Sequence, residues 1–238
     1  MGALHSRLIP AAAAVTASLI IHHFARADWL ISTYKAPANQ IVTTLAAADV
    51  VVANPANGAG SGLYPTFNSA DQSPLGFYPN DDKPPGFAAA NNDHFAVTGS
   101  GFLNVVTEGD YKFASLTDDG ARLRIDGAGV IVDDTLHTAF YPQDVKYSPL
   151  VHLTAGFHPI EFLYFESVGV AGGELFLVNA TGNTPIALVG DAAHGGLEVT
   201  QTMVPEPGML SALALVPILF MQFSRTIHRR HRTRGWGC

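Results

Sequence analysis

Cysteine is nearly absent from this chain, and basic residues are scarce in its central part. The one cysteine of the 238 residues is Cys238, so no disulfide can form within the chain, and a stable fold must rely on packing or on a bound metal. Between residues 28 and 204, six basic side chains stand against nineteen acidic ones, which gives a net charge of −13. A segment this acidic repels phosphate backbones, so the composition excludes a nucleic-acid partner and favours divalent cations, neutral sugars or basic partners.

Sequence signatures of hydrolytic or metal-dependent catalysis are also missing. The chain has no H-E-x-x-H motif, no Cys/His cluster and no G-x-S-x-G motif, which argues against a zinc hydrolase and a serine hydrolase. Glu161 and Glu166 lie five residues apart on one expected strand, and an odd separation places them on opposite faces, where they cannot flank one glycosidic bond. The sequence therefore predicts a protein that is not an enzyme.

The first 27 residues have the pattern of a secretory signal peptide. A basic residue precedes an apolar run over residues 8–24, and Ala25-Arg26-Ala27 supplies the small residues that signal peptidase requires at its cleavage site. The apolar run is short for a membrane span of about 20 residues, although an N-terminal membrane anchor is the alternative. We predict export, with cleavage at the Ala25 and Ala27 motif.

A second apolar segment lies near the C-terminus, within residues 204–238. The motif Val204-Pro205-Glu206-Pro207 is followed by an apolar run over 209–223 and then by a cluster of arginines and histidines. An apolar run with a basic flank is typical of a hydrophobic helix held in the membrane with its basic end in the cytoplasm. The tripartite pattern resembles the bacterial PEP-CTERM sorting signal. That resemblance implies transient membrane anchoring, cleavage by an exosortase near the motif, and release to the cell envelope or an exopolysaccharide matrix. A plain tail anchor is the alternative.

The central part of the chain shows the alternation of antiparallel strands. Over residues 109–134, apolar and polar side chains alternate in three runs that are separated by Asp118-Asp119-Gly120 and Asp126-Gly127. Such runs bounded by Asp-Gly pairs predict tight hairpins, here a three-stranded meander. A meander must bury its apolar face against a second sheet.

Four motifs follow one another in this region: F-x-V-x-x-x-G at Phe95–Gly101, G-x-Y-x-F at Gly109–Phe113, D-D-G-x-R-L-x-I-D-G at Asp118–Gly127, and G-x-H-x-I…Y-F-E at Gly156–Glu166. In their order and spacing they resemble the protective-antigen-type (PA-14) β-sandwich domain. The match covers roughly residues 94–178, and it departs from the family pattern in lacking the tryptophan usual in the first motif. The resemblance implies an all-β, antiparallel, jelly-roll-like sandwich, which we assign to residues 28–203.

The remaining segments between the two terminal signals are predicted to be strands and loops. Residues 46–50 fit either a strand or a helical turn, and no helix of convincing length is expected. Residues 167–173 are expected to form a glycine-rich hairpin. Residues 53–92 form a long irregular loop, in which five aromatic residues either cover an open end of the sandwich or provide stacking faces for sugars. These residues are Tyr64, Phe67, Phe77, Tyr78 and Phe87.

Asp118 and Asp119 are the strongest candidates for a binding site. Paired carboxylates on a loop suit a hard cation that takes six to eight oxygen ligands. In sugar-binding adhesins of the family that this chain resembles, a consecutive Asp-Asp pair ligates calcium, which in turn coordinates sugar hydroxyls. The alternative is that Asp-Asp-Gly is a turn without metal. Asp133-Asp134 is a weaker second pair, and Asp126 is interpreted as a turn residue.

Taken together, the sequence predicts an exported, exosortase-sorted protein of the cell surface or matrix, with a non-catalytic module that binds carbohydrate through calcium. The alternative function is a purely structural protein of the envelope or exopolysaccharide matrix, which would self-associate and have no small ligand.

Overall fold

Antiparallel strands dominate the part of the chain that the computed structural model describes, residues 28–70, 76–79, 81–87 and 93–203. These residues all belong to the unit Ala25–Pro205. They form β1 (Trp29–Lys35), α1 (Leu45–Ala53), β2 (Gly58–Tyr64), β3 (Asn68–Ala70), β4 (Phe95–Val105), β5 (Gly109–Asp118), β6 (Ala121–Ile125), β7 (Ala128–Asp133), β8 (Lys146–Tyr147), β9 (Val151–Leu153), β10 (Gly156–Glu166), β11 (Gly172–Val178), β12 (Pro185–Leu188) and β13 (Glu198–Thr200). Two short 3-10 helices cover Pro55–Asn57 and Ala192–His194.

The strands are arranged in two sheets, as the expected sandwich requires. Sheet 1 has the order β2-β1-β4-β10-β6-β7, and β13 also pairs with β4. Sheet 2 has the order β12-β11-β5-β8, with β3 paired to β11 and β9 paired to β5. All pairs between these strands are antiparallel. The mostly-β, antiparallel fold expected from the sequence is therefore confirmed.

A cluster of aromatic rings fills the main core. Phe67 lies edge-on to Trp29, Phe162 and Tyr164, with ring centroids 6.0, 4.7 and 6.0 Å away. All four side chains are fully buried. Edge-to-face packing of this kind adds to the free energy gained by burying the rings. Phe67 comes from the segment predicted to be an irregular loop, so part of that segment contributes to the core and part of it forms β2 and β3.

The predicted three-stranded meander is wrong, because its first strand belongs to the other sheet. β5 lies in sheet 2, whereas β6 and β7 lie in sheet 1. Asp118-Asp119-Gly120 therefore crosses between the sheets, and only Asp126-Gly127 closes a hairpin, with φ angles of 52° and 79°. Two positive φ angles are what a tight hairpin turn requires. The predicted hairpin over residues 167–173 is likewise a crossing, from β10 in sheet 1 to β11 in sheet 2.

Residues 46–50, which fit either a strand or a helical turn, lie in the nine-residue helix α1. The expectation that the domain has no helix of convincing length is thereby corrected. Thr44 caps the N-terminus of α1, since its side chain accepts a hydrogen bond from the Ala47 backbone N–H at 3.2 Å. The helix packs on the outer face of sheet 1 against Leu163 and Phe165. Its sequence is apolar at almost every position, so it has no helical periodicity that the sequence analysis could detect.

The signal-peptide site at Ala25 and Ala27, the sorting motif Val204-Pro205-Glu206-Pro207 and the C-terminal hydrophobic helix lie outside the described residues. These assignments remain predictions. Within the described ranges, no helix has both the length and the apolar character needed to cross a membrane.

Candidate functional site

The crossing between the sheets brings together three carboxylates. Asp118 ends β5 and Glu166 ends β10. The Asp119 N–H donates to the Phe165 carbonyl at 2.8 Å, and the Phe165 N–H donates to the Gly120 carbonyl at 3.0 Å. These two backbone bonds fix the crossing beside the end of β10. As a result, one carboxylate oxygen each from Asp118, Asp119 and Glu166 lies within 4.8 Å of the others.

The Asp119 side chain is held in place by backbone donors from two other segments. Its Oδ1 accepts the N–H of His137 at 3.0 Å, and its Oδ2 accepts the N–H of Ser167 at 2.8 Å. Burial raises the pKa of Asp119, although these two hydrogen bonds and the nearby His137 imidazole oppose the rise. Each carboxylate oxygen has two acceptor sites, so both oxygens keep a lone pair with which they can bind a cation.

The peptide bond between Asp118 and Asp119 is cis, and the next residue is a glycine for steric reasons. A Cβ atom on Gly120 would lie 2.4 Å from the Asp133 carbonyl oxygen and 2.7 Å from the Phe165 ring. Gly120 is therefore required by close packing at the crossing. The interpretation of Asp-Asp-Gly as a hairpin turn is wrong, since the sequence of a turn and that of a tight crossing look alike.

The spacing of the three carboxylate oxygens is compatible with their sharing one calcium ion. Calcium takes oxygen ligands at about 2.3–2.6 Å, so two oxygens on one ion lie at most about 5 Å apart. The separations within this cluster stay inside that limit. Glu166 is fully buried and Asp119 is 6% exposed, while Asp118 is half-buried. The cluster is buried as a whole, and Asp118 is the member that keeps some surface exposed to solvent.

Glu166 is the site residue that the sequence analysis missed. From the sequence it stands only as the end of a family motif and as a poor catalytic partner for Glu161. The two side chains indeed point to opposite faces, since the Glu161 side chain is 66% exposed and Glu166 is buried. The sequence did carry one signal. An acid that ends an apolar strand is expensive to bury without a partner or a cation, and Glu166 follows Tyr164 and Phe165 directly.

The other acidic pair is engaged by protein groups. Burial disfavours the charge on Asp133, but hydrogen bonds from Thr135 and His137 and the charge of Lys146 bring its pKa below the ordinary value. The neighbouring Asp134 accepts the backbone N–H of Leu45 at the start of α1. These contacts give Asp133-Asp134 a structural role.

Asp126 occupies the turn position that was expected of it. Its Oδ2 lies 2.7 Å from Nδ1 of His158, whose Nε2 lies 2.9 Å from the Thr154 carbonyl oxygen. These contacts join the β6–β7 turn to the start of β10.

Exposed aromatic residues lie beyond the segment that contacts Asp119. Phe140 is 64% exposed, and Tyr141 is 36% exposed. The Tyr141 ring packs at 4.4 Å from Phe77, which is itself 42% exposed. Three of the five loop aromatics, Tyr64, Phe67 and Phe87, instead contribute to or pack against the core. Phe77 could be named from the sequence, but nothing in the sequence indicates that it contacts residues of a second segment.

Comparison with known proteins agrees with this architecture. The family model for the PA14 domain matches residues 56–186. No curated protein matches the sequence significantly.

Several solved structures share the fold. The PA14 domain of the MpAFP antifreeze protein is 14% identical with a TM-score of 0.55, over 76% of this chain and 94% of that one. The PA14 sugar-binding domain from an RTX adhesin is 17% identical with a TM-score of 0.52, over 74% of this chain and 98% of that one. An anti-sigma factor domain-containing protein is 16% identical with a TM-score of 0.50, over 77% of this chain and 50% of that one. At these identities the structural matches establish the fold, and the family model covers more than half of the sequence. The chain belongs to the PA14 domain family.

Proposed function

We propose that this protein is a non-catalytic carbohydrate-binding module that uses a calcium ion held by Asp118, Asp119 and Glu166. The observation that carries the proposal is the mutual approach of the three carboxylates within 4.8 Å. Carboxylate oxygens this close together can share one divalent cation as ligands. The acidic character of the domain also favours a cation as ligand.

In this proposal Asp119 and Glu166 fix the ion from the protein side, and Asp118 faces the ligand. A calcium ion with three carboxylate ligands has free coordination positions, because it takes six to eight oxygens. Sugar hydroxyls are oxygen donors that can fill those positions. The structural match to a domain described as sugar-binding, from an RTX adhesin, supports carbohydrate as the ligand class.

The proposed place of action is outside the cytoplasm. The support is the signal-peptide pattern ending at Ala25 and Ala27, together with the Val204-Pro205-Glu206-Pro207 motif and the apolar and basic segments that follow it. Signal peptidase and an exosortase would act during export. The C-terminal helix would hold the protein in the membrane until it is released to the cell surface or matrix.

A glycan array probed with and without calcium tests the proposal. We expect binding that requires calcium and is lost in Asp118→Asn, which removes a charge at the solvent side of the cluster. The matched control is Asp110→Asn, because the Asp110 side chain is 59% exposed and contacts the His152 imidazole. Calcium-independent binding, or none at all, would contradict the proposal. Absence of any glycan ligand would favour the structural matrix protein instead.

A further inference from the structure

Two segments that are distant in sequence bring the exposed rings of Phe77 and Tyr141 into contact, and the exposed Phe140 precedes Tyr141 in the second segment. We call these three residues the aromatic platform. Phe77 and Tyr141 pack with their rings 4.4 Å apart and tilted by 40°. Phe140 adjoins Tyr141 and is the most exposed of the three, at 64%. Exposed apolar side chains that are grouped on a surface, unlike single ones, often mark an interaction site.

The platform is held rigidly on the Phe77 side. The N–H groups of Phe77 and Tyr78 both donate to the buried Glu174 carboxylate, at distances of 2.7–2.9 Å. Gly76 has a φ of +89°, and a Cβ atom there would lie 2.4 Å from Glu174 Oε1. The Tyr78 ring packs on Phe176 with centroids 5.6 Å apart. The segment that carries Phe77 and Tyr78 therefore packs on the outer face of sheet 2 in the absence of a ligand.

The other side of the platform is fixed in the same way. Asp144 Oδ2 accepts the Phe140 N–H at 2.9 Å and the Thr138 hydroxyl at 2.8 Å. These bonds order the segment that carries Phe140 and Tyr141. A ligand that stacks on the platform would therefore lose little affinity to the ordering of side chains and loops.

The platform lies close to the three carboxylates. The His137 backbone N–H donates a hydrogen bond to Asp119 at 3.0 Å. Tyr141 follows His137 by four residues, so the Cα atoms of His137 and Tyr141 are at most about 14 Å apart. A second path gives a similar distance. Asp118 pairs with Gly172 of β11, and the Phe77 ring lies near Phe176 of the same strand. Gly172 and Phe176 are four residues apart, which corresponds to a rise of about 13 Å along the strand. The first path sets only an upper limit, whereas the rise of about 13 Å along β11 is longer than one monosaccharide.

We infer that the aromatic platform is a second contact site for the carbohydrate, and that the natural ligand is a neutral polysaccharide chain several sugars long. This inference rests on the proposed function. The apolar faces of sugar rings stack on exposed aromatic side chains, while the cation holds hydroxyl groups at the other end of the chain. The platform borders the ionised Asp144, whose pKa lies below its ordinary value because hydrogen bonds and nearby positive charge outweigh its desolvation. That charge disfavours acidic polymers.

Chain-length dependence of binding tests the inference. The probes are neutral soluble polysaccharides (dextran, xylan and galactan) and their disaccharides, measured by calorimetry in calcium on the whole protein. We expect at least one polysaccharide to bind more tightly than its disaccharide. Phe140→Ala and Tyr141→Ala should each weaken polysaccharide binding about tenfold and leave disaccharide and calcium binding unchanged.

Matched variants separate stacking from general apolar contact. Tyr141→Phe keeps the ring and should bind as the original protein does, whereas Phe140→Leu keeps apolar volume without a flat face and should lose affinity. Leu150→Ala is the control at an exposed apolar residue that belongs to neither platform segment. Because the platform side chains are exposed, unfolding temperatures should change little.

Two outcomes would overturn the inference, and they can be told apart. If disaccharides bind with calcium but chain length and the platform variants make no difference, only the second contact site is refuted. If no saccharide of any length binds, both the proposed function and this inference fail.

Discussion

Replacing Glu174 with glutamine should remove a specific pH dependence of stability. Glu174 is 2% exposed in β11. Burial raises the pKa of this carboxyl to about 7, although the N–H groups of Phe77 and Tyr78 favour the ionised form. In the unfolded chain the same carboxyl titrates near its ordinary value of 4.5. The native state therefore keeps a proton on Glu174 over a pH range in which the unfolded state has lost it.

The sign follows from proton linkage. Between pH 4.5 and about 7 the native state binds more protons than the unfolded state, so the free energy of unfolding falls as pH rises. One pH unit corresponds to about 1.4 kcal/mol, and the whole interval therefore to about 3 kcal/mol. Below this range, the stabilisation from the protonated carboxyl is fully present. Above it, the loss is complete and the contribution of Glu174 is constant.

Urea unfolding from pH 4 to pH 8 measures this effect directly. Glutamine keeps the shape of the side chain and cannot ionise, so the stability of Glu174→Gln relative to the original protein should rise by about 3 kcal/mol over the interval. Taking the difference between the two proteins cancels other titrating groups. Glu161→Gln, at a side chain 66% exposed, should show a flat difference. A flat difference for Glu174→Gln as well would refute the reasoning.

Three further substitutions test how the fold is held together, each by urea unfolding. Arg122→Ala removes a bidentate ion pair with Asp49 at 2.7 and 2.9 Å and should lower the free energy of unfolding by about 1 kcal/mol. Arg124 lies 3.9 Å from a carboxylate oxygen of Glu161, so Arg124→Ala should lower it by less than about 0.5 kcal/mol. Thr44→Ala removes the cap of α1 and should cost about 1 kcal/mol, with Thr44→Ser as the neutral control. Phe67→Ala should cost about 3–5 kcal/mol because it opens a cavity among three other rings, and an effect below 1 kcal/mol would contradict the described core.

The strands could be predicted because alternation and turn residues are local features of the sequence. The alternation of Arg122 and Arg124 with Leu123 and Ile125 predicts β6, the apolar run over residues 130–132 predicts β7, and Asp126-Gly127 predicts their hairpin. Membership of a sheet is not local. Nothing in the alternation distinguishes a hairpin from a crossing, so β5 was assigned to the wrong sheet. Its outer face is also buried, which hides the amphipathic pattern.

Only the part of the candidate site that is local in sequence could be predicted. Asp118 and Asp119 are adjacent in sequence and matched a family motif, so they could be named in advance. Glu166 joins them only through the backbone bonds between the crossing and the end of β10. The aromatic platform likewise depends on Phe77 and Tyr141, which are 64 positions apart in the sequence. Pairings of this kind are decided by packing of the whole domain.

Calcium titration by isothermal calorimetry, with thermal unfolding in parallel, tests the central claim most directly. The account predicts saturable binding that is lost or strongly weakened in Asp118→Asn, Asp119→Asn and Glu166→Gln and is retained in Asp110→Asn. Calcium at a hundred times its dissociation constant should stabilise the original protein by about 2.7 kcal/mol and should not stabilise a variant that has lost the site. No binding at millimolar calcium by the folded protein, or undiminished binding by all three site variants, would contradict the account.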